Sequence, residues 1–470
     1  MNTLRTVMPS EKDPQAERDA ARSQAKRLVA HELGRVVGAG LMLPWRALTQ
    51  ALKNKRLRSD FLLDLKSEPT LAPEQSELTL PERPLRIFIC CAEASGENHA
   101  LRLVRALRDA LEESGAPPPE IFGLGGPRFK AEGVQTIGDP VSNARMGFAG
   151  VIEALPFYLG LLTASAQEFL AGDLDLFVGV DSPALNVPLA HMAKSCGLTT
   201  VQYITPQYWG WAPWRVNGFR EAFDHGLSIL PFEPAWFARH GVCAQHVGHP
   251  QLDAMQVLEP KAREANARRQ LVILPGSRRS VIERNLPTML ECLGSALGQN
   301  GEWSARILQS NDAHKDLIES CMSRSGFALE NLSLSLDLEN ELASADAALS
   351  VSGTILTHLL FHRVPCVVLY RLESSFQEWI GRNFLTVPYF SSVNLLAGSE
   401  VYPEHGFAQD SPTADYRACV DQLLTDSDWR AKCSDNLEAA ARRLGPPGAS
   451  HRAANACLAA IPDQARTQGS

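Results

Sequence analysis

The chain has 470 residues, of which 45% are hydrophobic, and its formal net charge is −8. That length exceeds what one ordinary core supports, so two domains with additional segments are expected. The acidic balance argues against nucleic-acid binding, which depends on a basic field. The ten cysteines form no CxxC pair, and most lie in apolar runs, which predicts a reducing, cytoplasmic compartment. Neither the Cys nor the His spacing indicates a metal site.

Residues 1–84 form an extension ahead of the first strand. Residues 1–25 are polar and charged, which predicts disorder. Over 29–52, apolar residues recur at helical spacing among basic ones, and Pro44 is expected to kink or split this helix. The helix either rests in a lipid interface or packs on the protein's own body. The prolines and polar residues of 66–84 predict a linker. No stretch of the sequence is long and apolar enough to span a bilayer.

From residue 85 onward, strands and helices alternate, which predicts an α/β protein with doubly wound sheets. The strands are predicted at 85–91, 122–124, 176–180 and 199–204, and then at 270–274, 345–350 and 365–369. A charged helical segment at 254–268 separates an N-terminal domain at 85–253 from a C-terminal domain at 254–470 that ends in helices. Because ligands bind at the carboxyl ends of such strands, the site is expected in the cleft between the domains.

Two turns of the first domain carry polar side chains after buried strands. Glu93, Ser95 and Gly96 follow the first strand, where small residues let a ligand approach the start of a helix. Asp181 follows the strand at 176–180, where a carboxylate can act as a general base. A simple helix cap is the alternative interpretation of both turns.

Two glycine turns of the second domain predict a binding site for a diphosphate. Each places backbone N–H groups with hydroxyls or a guanidinium at the start of a helix, which suits a phosphate. The residues are Gly276, Ser277 and Arg278 in the first turn, and Ser352, Gly353 and Thr354 in the second. Capped helices with solvated side chains are the alternative.

Two further segments are unusually apolar. Residues 206–215 include Trp209, Trp211 and Trp214, which either stack on sugar or acyl surfaces or pack between the domains. Residues 148–162 carry a single charge, Glu153, and are either buried core or an apolar face that meets lipid.

In this order and spacing, the motifs resemble the lipid-A-disaccharide synthase family of GT-B glycosyltransferases. The resemblance covers roughly residues 85–405. Beyond the turns described above and the segment from Pro206 to Trp211, it rests on four short motifs: Gly126-Pro127-Arg128, Pro231-Phe232-Glu233, Val247-Gly248-His249-Pro250 and Asn394-Leu395-Leu396-Ala397-Gly398.

The resemblance implies two Rossmann-like domains facing a cleft, with the helical extension added. It implies an inverting transfer from a UDP-linked 2,3-diacylglucosamine to a 2,3-diacylglucosamine 1-phosphate, which yields the lipid A disaccharide phosphate and UDP. Asp181 would be the general base, and the second-domain turns would hold the diphosphate without a metal or cofactor. The substrate site would also include Glu93, Ser95, Gly96, His358 and Asn394. The enzyme would lie peripherally on the inner face of the membrane, and a homodimer is compatible with this scheme.

Four substitutions depart from the family pattern. Ala92 replaces a usual Gly, Glu97 a usual Asp, Val281 a usual Glu, and His358 a Glu that binds the nucleotide ribose in many related transferases. They leave two alternatives: a weakened homologue that binds lipid or nucleotide, or another GT-B enzyme such as a UDP-sugar epimerase or a transferase with a different lipid acceptor.

Overall fold

The computed structural model describes residues 14–68, 70–74, 80–143, 148–253, 268–293, 302–326, 331–409 and 411–462. The charged segment predicted at 254–268 therefore lies outside the described residues, apart from its last position. Within these ranges, no helix combines the length and apolar character needed to cross a bilayer.

Two helices make up most of the extension: α1 (Pro14–Leu41) and α2 (Leu43–Leu65). The prediction of disorder is wrong from Pro14 onward. Ala25 and Val29 of α1 are buried in an apolar core, and this burial stabilises the helix despite its polar sequence. Pro44 lies in the first turn of α2, where its missing N–H is not needed, so the predicted split of the helix is confirmed.

A seven-stranded parallel sheet organises the first domain, in the order β3-β2-β1-β4-β5-β6-β7. Its strands are β1 (Arg86–Cys90), β2 (Glu120–Leu124), β3 (Gln135–Gly138), β4 (Leu176–Val180), β5 (Thr199–Tyr203), β6 (His225–Ser228) and β7 (Ala244–His246). The helices between them are α3 (Ala94–Glu113), α4 (Pro127–Ala131), α5 (Phe148–Ala171), α6 (Pro183–Ser195), α7 (Tyr208–Trp211), α8 (Val216–Ala222) and α9 (Glu233–Arg239). The four strands predicted here are confirmed, and the order is that of a doubly wound fold.

A six-stranded parallel sheet organises the second domain, in the order β10-β9-β8-β11-β12-β13. Its strands are β8 (Arg269–Leu274), β9 (Trp303–Leu308), β10 (Leu332–Ser335), β11 (Ala347–Val351), β12 (Cys366–Arg371) and β13 (Glu404–Phe407). The helices are α10 (Arg279–Glu291), α11 (Lys315–Ser325), α12 (Leu338–Ala343), α13 (Ile355–Phe361), α14 (Ser375–Phe384), α15 (Ser392–Ala397), α16 (Ala414–Thr425), α17 (Ser427–Arg442) and α18 (Ala449–Ala459). This sheet repeats the topology of the first and confirms the predicted pair of Rossmann-like domains.

Both sheets are buried on their two faces, as is usual for parallel sheets. In β1, Phe88 belongs to one apolar core and its neighbour Ile87 to another, because successive side chains point to opposite faces. The core that contains Phe88 continues into the second domain, where it includes Val272 of β8. The two domains therefore share apolar packing.

The chain returns to the first domain at its C-terminal end. Helix α18 packs along α3, and its residues Ala453 and Leu458 lie in the same core as Ile87. The carboxylate of Asp253 accepts backbone N–H groups at the start of α18, at 2.7–3.1 Å. The domain ranges 85–253 and 254–470 remain predictions, but α18 contributes to the core of the domain to which the sequence did not assign it.

The apolar segment 148–162 lies in α5, against which α1 packs. Leu161 and Leu162 are buried, whereas Leu155 is exposed. The described part of the segment thus combines a core face with the exposed apolar residues Leu155 and Pro156.

Candidate active site

Asp181 lies directly after β4 in a strained backbone conformation. Its φ is +53° and that of Ser182 is +37°, a left-handed region that ordinary residues rarely adopt. The carbonyl oxygen of Asp181 accepts hydrogen bonds from the side-chain amides of Asn186, at 2.7 Å, and Gln202, at 2.8 Å. These two amides hold the carboxylate-bearing turn in place, and strain retained in this way is typical of functional positions.

The turn at residues 93–96 lies beside Asp181. A Cβ atom built on Gly96 would lie 3.5 Å from the Cβ of Asp181, while Glu93 and Ser95 are exposed at the start of α3. Burial raises the pKa of Asp181, and a hydrogen bond from the backbone of Ser182 partly opposes that rise. The two first-domain motifs therefore form one site.

Glu97 has a structural role in this site. Its buried carboxylate accepts the Nε of Arg128 at 2.9 Å and the backbone N–H of Phe129 at 3.3 Å. Arg128 also donates to the carbonyl of Ala94 at 3.1 Å. Glu97 thereby ties the 126–128 motif to the 93–96 turn, so its departure from the usual Asp is accommodated by an ion pair.

The two glycine turns of the second domain lie side by side. Strands β8 and β11 pair with Leu274 opposite Ser350, so each turn begins at the same level of the sheet. A Cβ atom on Gly276, whose φ is +110°, would lie 3.5 Å from a methyl group of Val351. The structure thus brings together two turns whose glycines, Gly276 and Gly353, are 77 residues apart in the sequence (353 − 276), as a shared phosphate site requires.

Arg278 and Arg279 differ in their surroundings. Arg279 donates to Glu283 at 2.8 Å, one helical turn away, whereas the exposed Arg278 lies at the position that begins α10. The positive end of this helix and the guanidinium of Arg278 both favour an anion. Val281 packs against the turn itself, with its Cγ1 only 2.7 Å from a Cβ atom built on Gly276.

His358 is engaged on both ring nitrogens. Its Nδ1 lies 3.0 Å from a carboxylate oxygen of Glu339, and its Nε2 lies 2.8 Å from the amide nitrogen of Gln251. Both ring nitrogens of His358 are therefore occupied by neighbouring side chains. The sequence interpretation did not include Gln251 or Glu339, since neither lies in a recognisable motif.

Asn394 is fully buried and has no exposed surface for a ligand. Its side chain bonds the backbone of Val401 and Tyr402 at 2.7–2.9 Å and donates to Glu404 at 3.1 Å. In this structure, Asn394 shapes the loop before β13, and any effect on substrate acts through that loop.

The tryptophan segment divides into two parts. Trp209 is buried and donates its indole N–H to Glu233 at 3.1 Å, while the carbonyl of Gly210 accepts the backbone N–H of Thr386 at 3.0 Å. Trp211 is instead exposed, with the guanidinium of Arg215 5.7 Å from its ring centre. The ring of Trp209 packs on Phe61 of the extension and Phe232 of the first domain, and only the backbone of this segment meets the second domain, while Trp211 remains available to a ligand.

Residues 385–390 run between the two sets of loops. Thr386 contacts the first domain at Gly210, and the carbonyl of Phe390 accepts the Ser352 hydroxyl at 3.2 Å. The contact of Thr386 with Gly210 and the contact of Gln251 with His358 both join the first domain to the second. The segments that follow strands of the two sheets therefore meet.

An apolar cavity of about 460 Å³ adjoins the Ser352 turn. Its wall is formed by residues from β12, α14, the 385–390 segment and the extension, including Tyr370, Leu385, Val387, Tyr389 and Arg58. That volume falls in the range of small-molecule sites. The sequence interpretation did not foresee this cavity, because its wall combines Arg58 of the extension with several elements of the second domain.

Two doubly wound domains with strand-end loops in contact, and with paired turns suited to a diphosphate, have the architecture of the GT-B class. The protein-family model described as lipid-A-disaccharide synthetase matches residues 87–459. This chain belongs to that family.

Curated relatives carry the same description. The lipid-A-disaccharide synthase of Trichlorobacter lovleyi is 30% identical over 396 residues, which cover 81% of this chain and 98% of that protein. That of Myxococcus xanthus is 31% identical over 387 residues, with coverages of 81% and 98%. Among solved structures, CalG4, the calicheamicin glycosyltransferase, aligns over 81% of this chain and 98% of its own, with 14% identity and a TM-score of 0.48.

Proposed function

We propose that this chain joins two acylated glucosamine units in lipid A synthesis, with UDP as the leaving group. The donor is a UDP-linked 2,3-diacylglucosamine, and the acceptor is a 2,3-diacylglucosamine 1-phosphate. The oxygen of the acceptor's 6-hydroxyl forms a bond to the anomeric carbon of the donor while the bond from that carbon to UDP breaks, which inverts the configuration. The observation that carries the proposal is the strained, partly buried Asp181 beside the 93–96 turn.

Asp181 acts as the general base. A hydroxyl is a poor nucleophile at neutral pH, so a carboxylate that takes its proton during attack accelerates the transfer. The raised pKa of Asp181 makes it a stronger base than an ordinary aspartate. Asn186 and Gln202 act as positioning residues, since both amides bind the backbone carbonyl of Asp181.

The diphosphate of UDP binds at the paired glycine turns. Gly353 leaves room for close approach, and Gly276 allows the tight turn with its φ of +110°. Ser277 and Thr354 offer hydroxyls, and the hydroxyl of Ser352 donates to the diphosphate only if it releases the carbonyl of Phe390. Arg278 offsets the charge that grows as UDP leaves. His358 lies on the helix that follows the second turn and contacts the nucleotide ribose only if Gln251 releases its Nε2.

The apolar cavity beside Ser352 supports an acylated donor over a small soluble sugar. It lies next to the proposed diphosphate site and is lined mainly by apolar side chains such as Leu385 and Val387. One acyl chain of the donor would occupy it. Because acylated sugars reside in bilayers, the enzyme works peripherally at the inner face of the membrane, on the cytoplasmic side.

The direct test is incubation with both acylated glucosamine substrates, followed by mass detection of the disaccharide phosphate and UDP. Asp181→Ala is expected to abolish the disaccharide while UDP still binds. Normal turnover by this variant would refute the role of general base. Release of UDP without disaccharide by the wild-type enzyme would indicate hydrolysis or another acceptor.

The neighbouring arginines provide a matched pair for the diphosphate site. Arg278→Ala should weaken UDP binding by about 10- to 100-fold, the loss of a charge-assisted hydrogen bond. Arg279→Ala removes the same charge from a residue already paired with Glu283 and should have a much smaller effect. Equal losses in titration calorimetry would show that the effect is general electrostatics and not a contact with Arg278.

A further inference from the structure

In the N-terminal half of helix α2, polar side chains face the protein and large apolar side chains face outward, whereas the C-terminal half buries Phe61 and Leu65. Gln50 and Asn54 are buried, at 4% and 7% exposure, although both are amides. Trp45, Leu48 and Leu52 are 65%, 55% and 79% exposed although all three are large and apolar. Leu52 is two residues from both amides, which places it about 200° around the helix from them.

The inner side of α2 is held by specific hydrogen bonds to the end of α14. Gln50 donates to the carbonyl of Phe384 at 2.6 Å, Asn54 to that of Asn383 at 2.7 Å and Arg58 to that of Leu385 at 2.9 Å. These three donors recur every fourth residue, along one side of the helix. They satisfy carbonyls at and just beyond the end of α14 that have no partner within that helix, so α2 cannot rotate to bury its apolar side without breaking these bonds.

The inner side also joins the two domains. The amide of Gln50 donates to the carbonyl of Trp211 in the first domain at 3.0 Å as well as to Phe384 in the second. Phe61 stacks on Trp209, with ring centres 5.5 Å apart, and anchors the C-terminal half of α2 to the first domain. The orientation of α2, and therefore of its outward side, is fixed relative to the cleft.

The charged residues in this part of the extension are mostly basic. From residue 34 to residue 59 the chain has no Asp or Glu and six basic residues, of which Arg58 lies on the inner side and Arg56 lies 3.8 Å from Asp60: Arg35, Arg46, Lys53, Lys55, Arg56 and Arg58. Lys53, Lys55 and Arg56 are exposed, whereas the whole chain carries a net charge of −8. A local basic cluster beside an exposed Trp and leucines complements an anionic bilayer surface, where Trp partitions to the interface and cations attract headgroups.

We propose that Leu41, Trp45, Leu48 and Leu52 form a docking face that inserts into the interface of an anionic lipid bilayer, with Lys53, Lys55 and Arg56 on the headgroups. Leu41, at 78% exposure, ends α1 and continues the apolar stripe of α2. This refines the membrane association given under the proposed function and rests on it only in requiring a lipid surface. Since α2 is hydrogen-bonded to both domains, docking sets the height and tilt of the cleft above the bilayer.

The test is co-sedimentation of the full-length chain with vesicles of phosphatidylcholine alone or of phosphatidylcholine containing phosphatidylglycerol. The chain should bind the anionic vesicles, and added salt should weaken binding. Trp45→Glu with Leu52→Glu should lower the partition constant at least about tenfold, because two inserted apolar side chains become charged. The melting temperature should not change, since both positions are exposed.

Leu336→Glu is the matched control, because Leu336 is exposed and lies in the second domain away from α2. It should bind vesicles like the wild type. Lys53→Glu with Lys55→Glu should remove the preference for anionic vesicles. Equal binding by the docking-face variant and the wild type would overturn the proposal, as would a wild type that binds neither vesicle.

A second copy of the chain is the competing occupant of the docking face. If sedimentation velocity shows a wild-type dimer that the docking-face variant dissociates, and no vesicle binding, the face is a subunit interface and the proposal is wrong. Vesicle binding is measured without sugar substrates, so a failure of the transfer reaction leaves this result unaffected.

Discussion

Gly276 and Gly353 are expected to respond differently to the same substitution. A Cβ atom on Gly276 would lie 2.7 Å from the Cγ1 of Val281, and the residue has a φ of +110°. A Cβ atom on Gly353 would meet no other atom within 4 Å, and its φ lies outside the left-handed region. The first glycine is therefore required by the fold, whereas the second leaves space that a ligand would use.

The magnitude follows from those two features. A left-handed conformation costs an alanine about 1–2 kcal/mol, and displacing Val281 costs about 1–3 kcal/mol in a packed region. Gly276→Ala should therefore lower the free energy of unfolding by about 2–5 kcal/mol and the melting temperature of the second domain by several degrees. Gly353→Ala should leave the melting temperature unchanged.

Calorimetric titration with UDP completes the comparison. Gly276→Ala should weaken UDP binding because its turn must shift, and Gly353→Ala should weaken it because the new methyl group occupies space needed by the diphosphate. A Gly276→Ala variant that melts and binds like the wild type would refute the strain argument. A Gly353→Ala variant with unchanged UDP affinity would refute the diphosphate site at the second turn.

Three further outcomes can be measured. Asp181 must be deprotonated to accept a proton, and burial raises its pKa above the ordinary 3.8. The value of kcat/KM should therefore fall on acidification through a pKa above 3.8. In Asp181→Asn, kcat/KM should be about 10²- to 10⁴-fold lower at all pH values. The leucine of Gly381→Leu would extend into the apolar cavity, since the nearest atom to a Cβ at this position is 3.8 Å away. This variant should slow transfer from long-chain donors more than transfer from short-chain donors. Gly218→Leu changes a helical glycine outside the cavity and should leave the chain-length preference unchanged. Phe61→Ala removes a buried ring and should lower the free energy of unfolding, measured by urea denaturation, by about 3–5 kcal/mol. A smaller loss would mean that α2 packs only weakly on the first domain.

The fold and the turns of the site follow from local patterns. Apolar runs such as 176–180 and 270–274 predict buried parallel strands, and glycine or hydroxyl residues directly after them predict the ligand-binding turns. Both features depend on residues close in the chain, so the sequence is sufficient to find them. The identity of the family depends on the order of those turns and was likewise available from the sequence.

Other features depend on partners that are far apart in the chain. Gln202 could have been noticed as a polar residue in a buried strand, but its bond to the carbonyl of Asp181 required the pairing of β4 with β5. His358 could be identified as a substitution, yet the engagement of both its ring nitrogens depends on Gln251 and Glu339.

The extension shows the same division between sequence and structure. The amino-acid sequence by itself determined that a basic amphipathic helix split by a proline precedes the first strand, because periodicity and proline act locally. Which side of that helix faces the protein was decided only by the tertiary structure, where carbonyls at the end of α14 offered Gln50, Asn54 and Arg58 better partners than water. Hydrophobic periodicity places apolar residues on one side of a helix, but it does not specify what that side will contact.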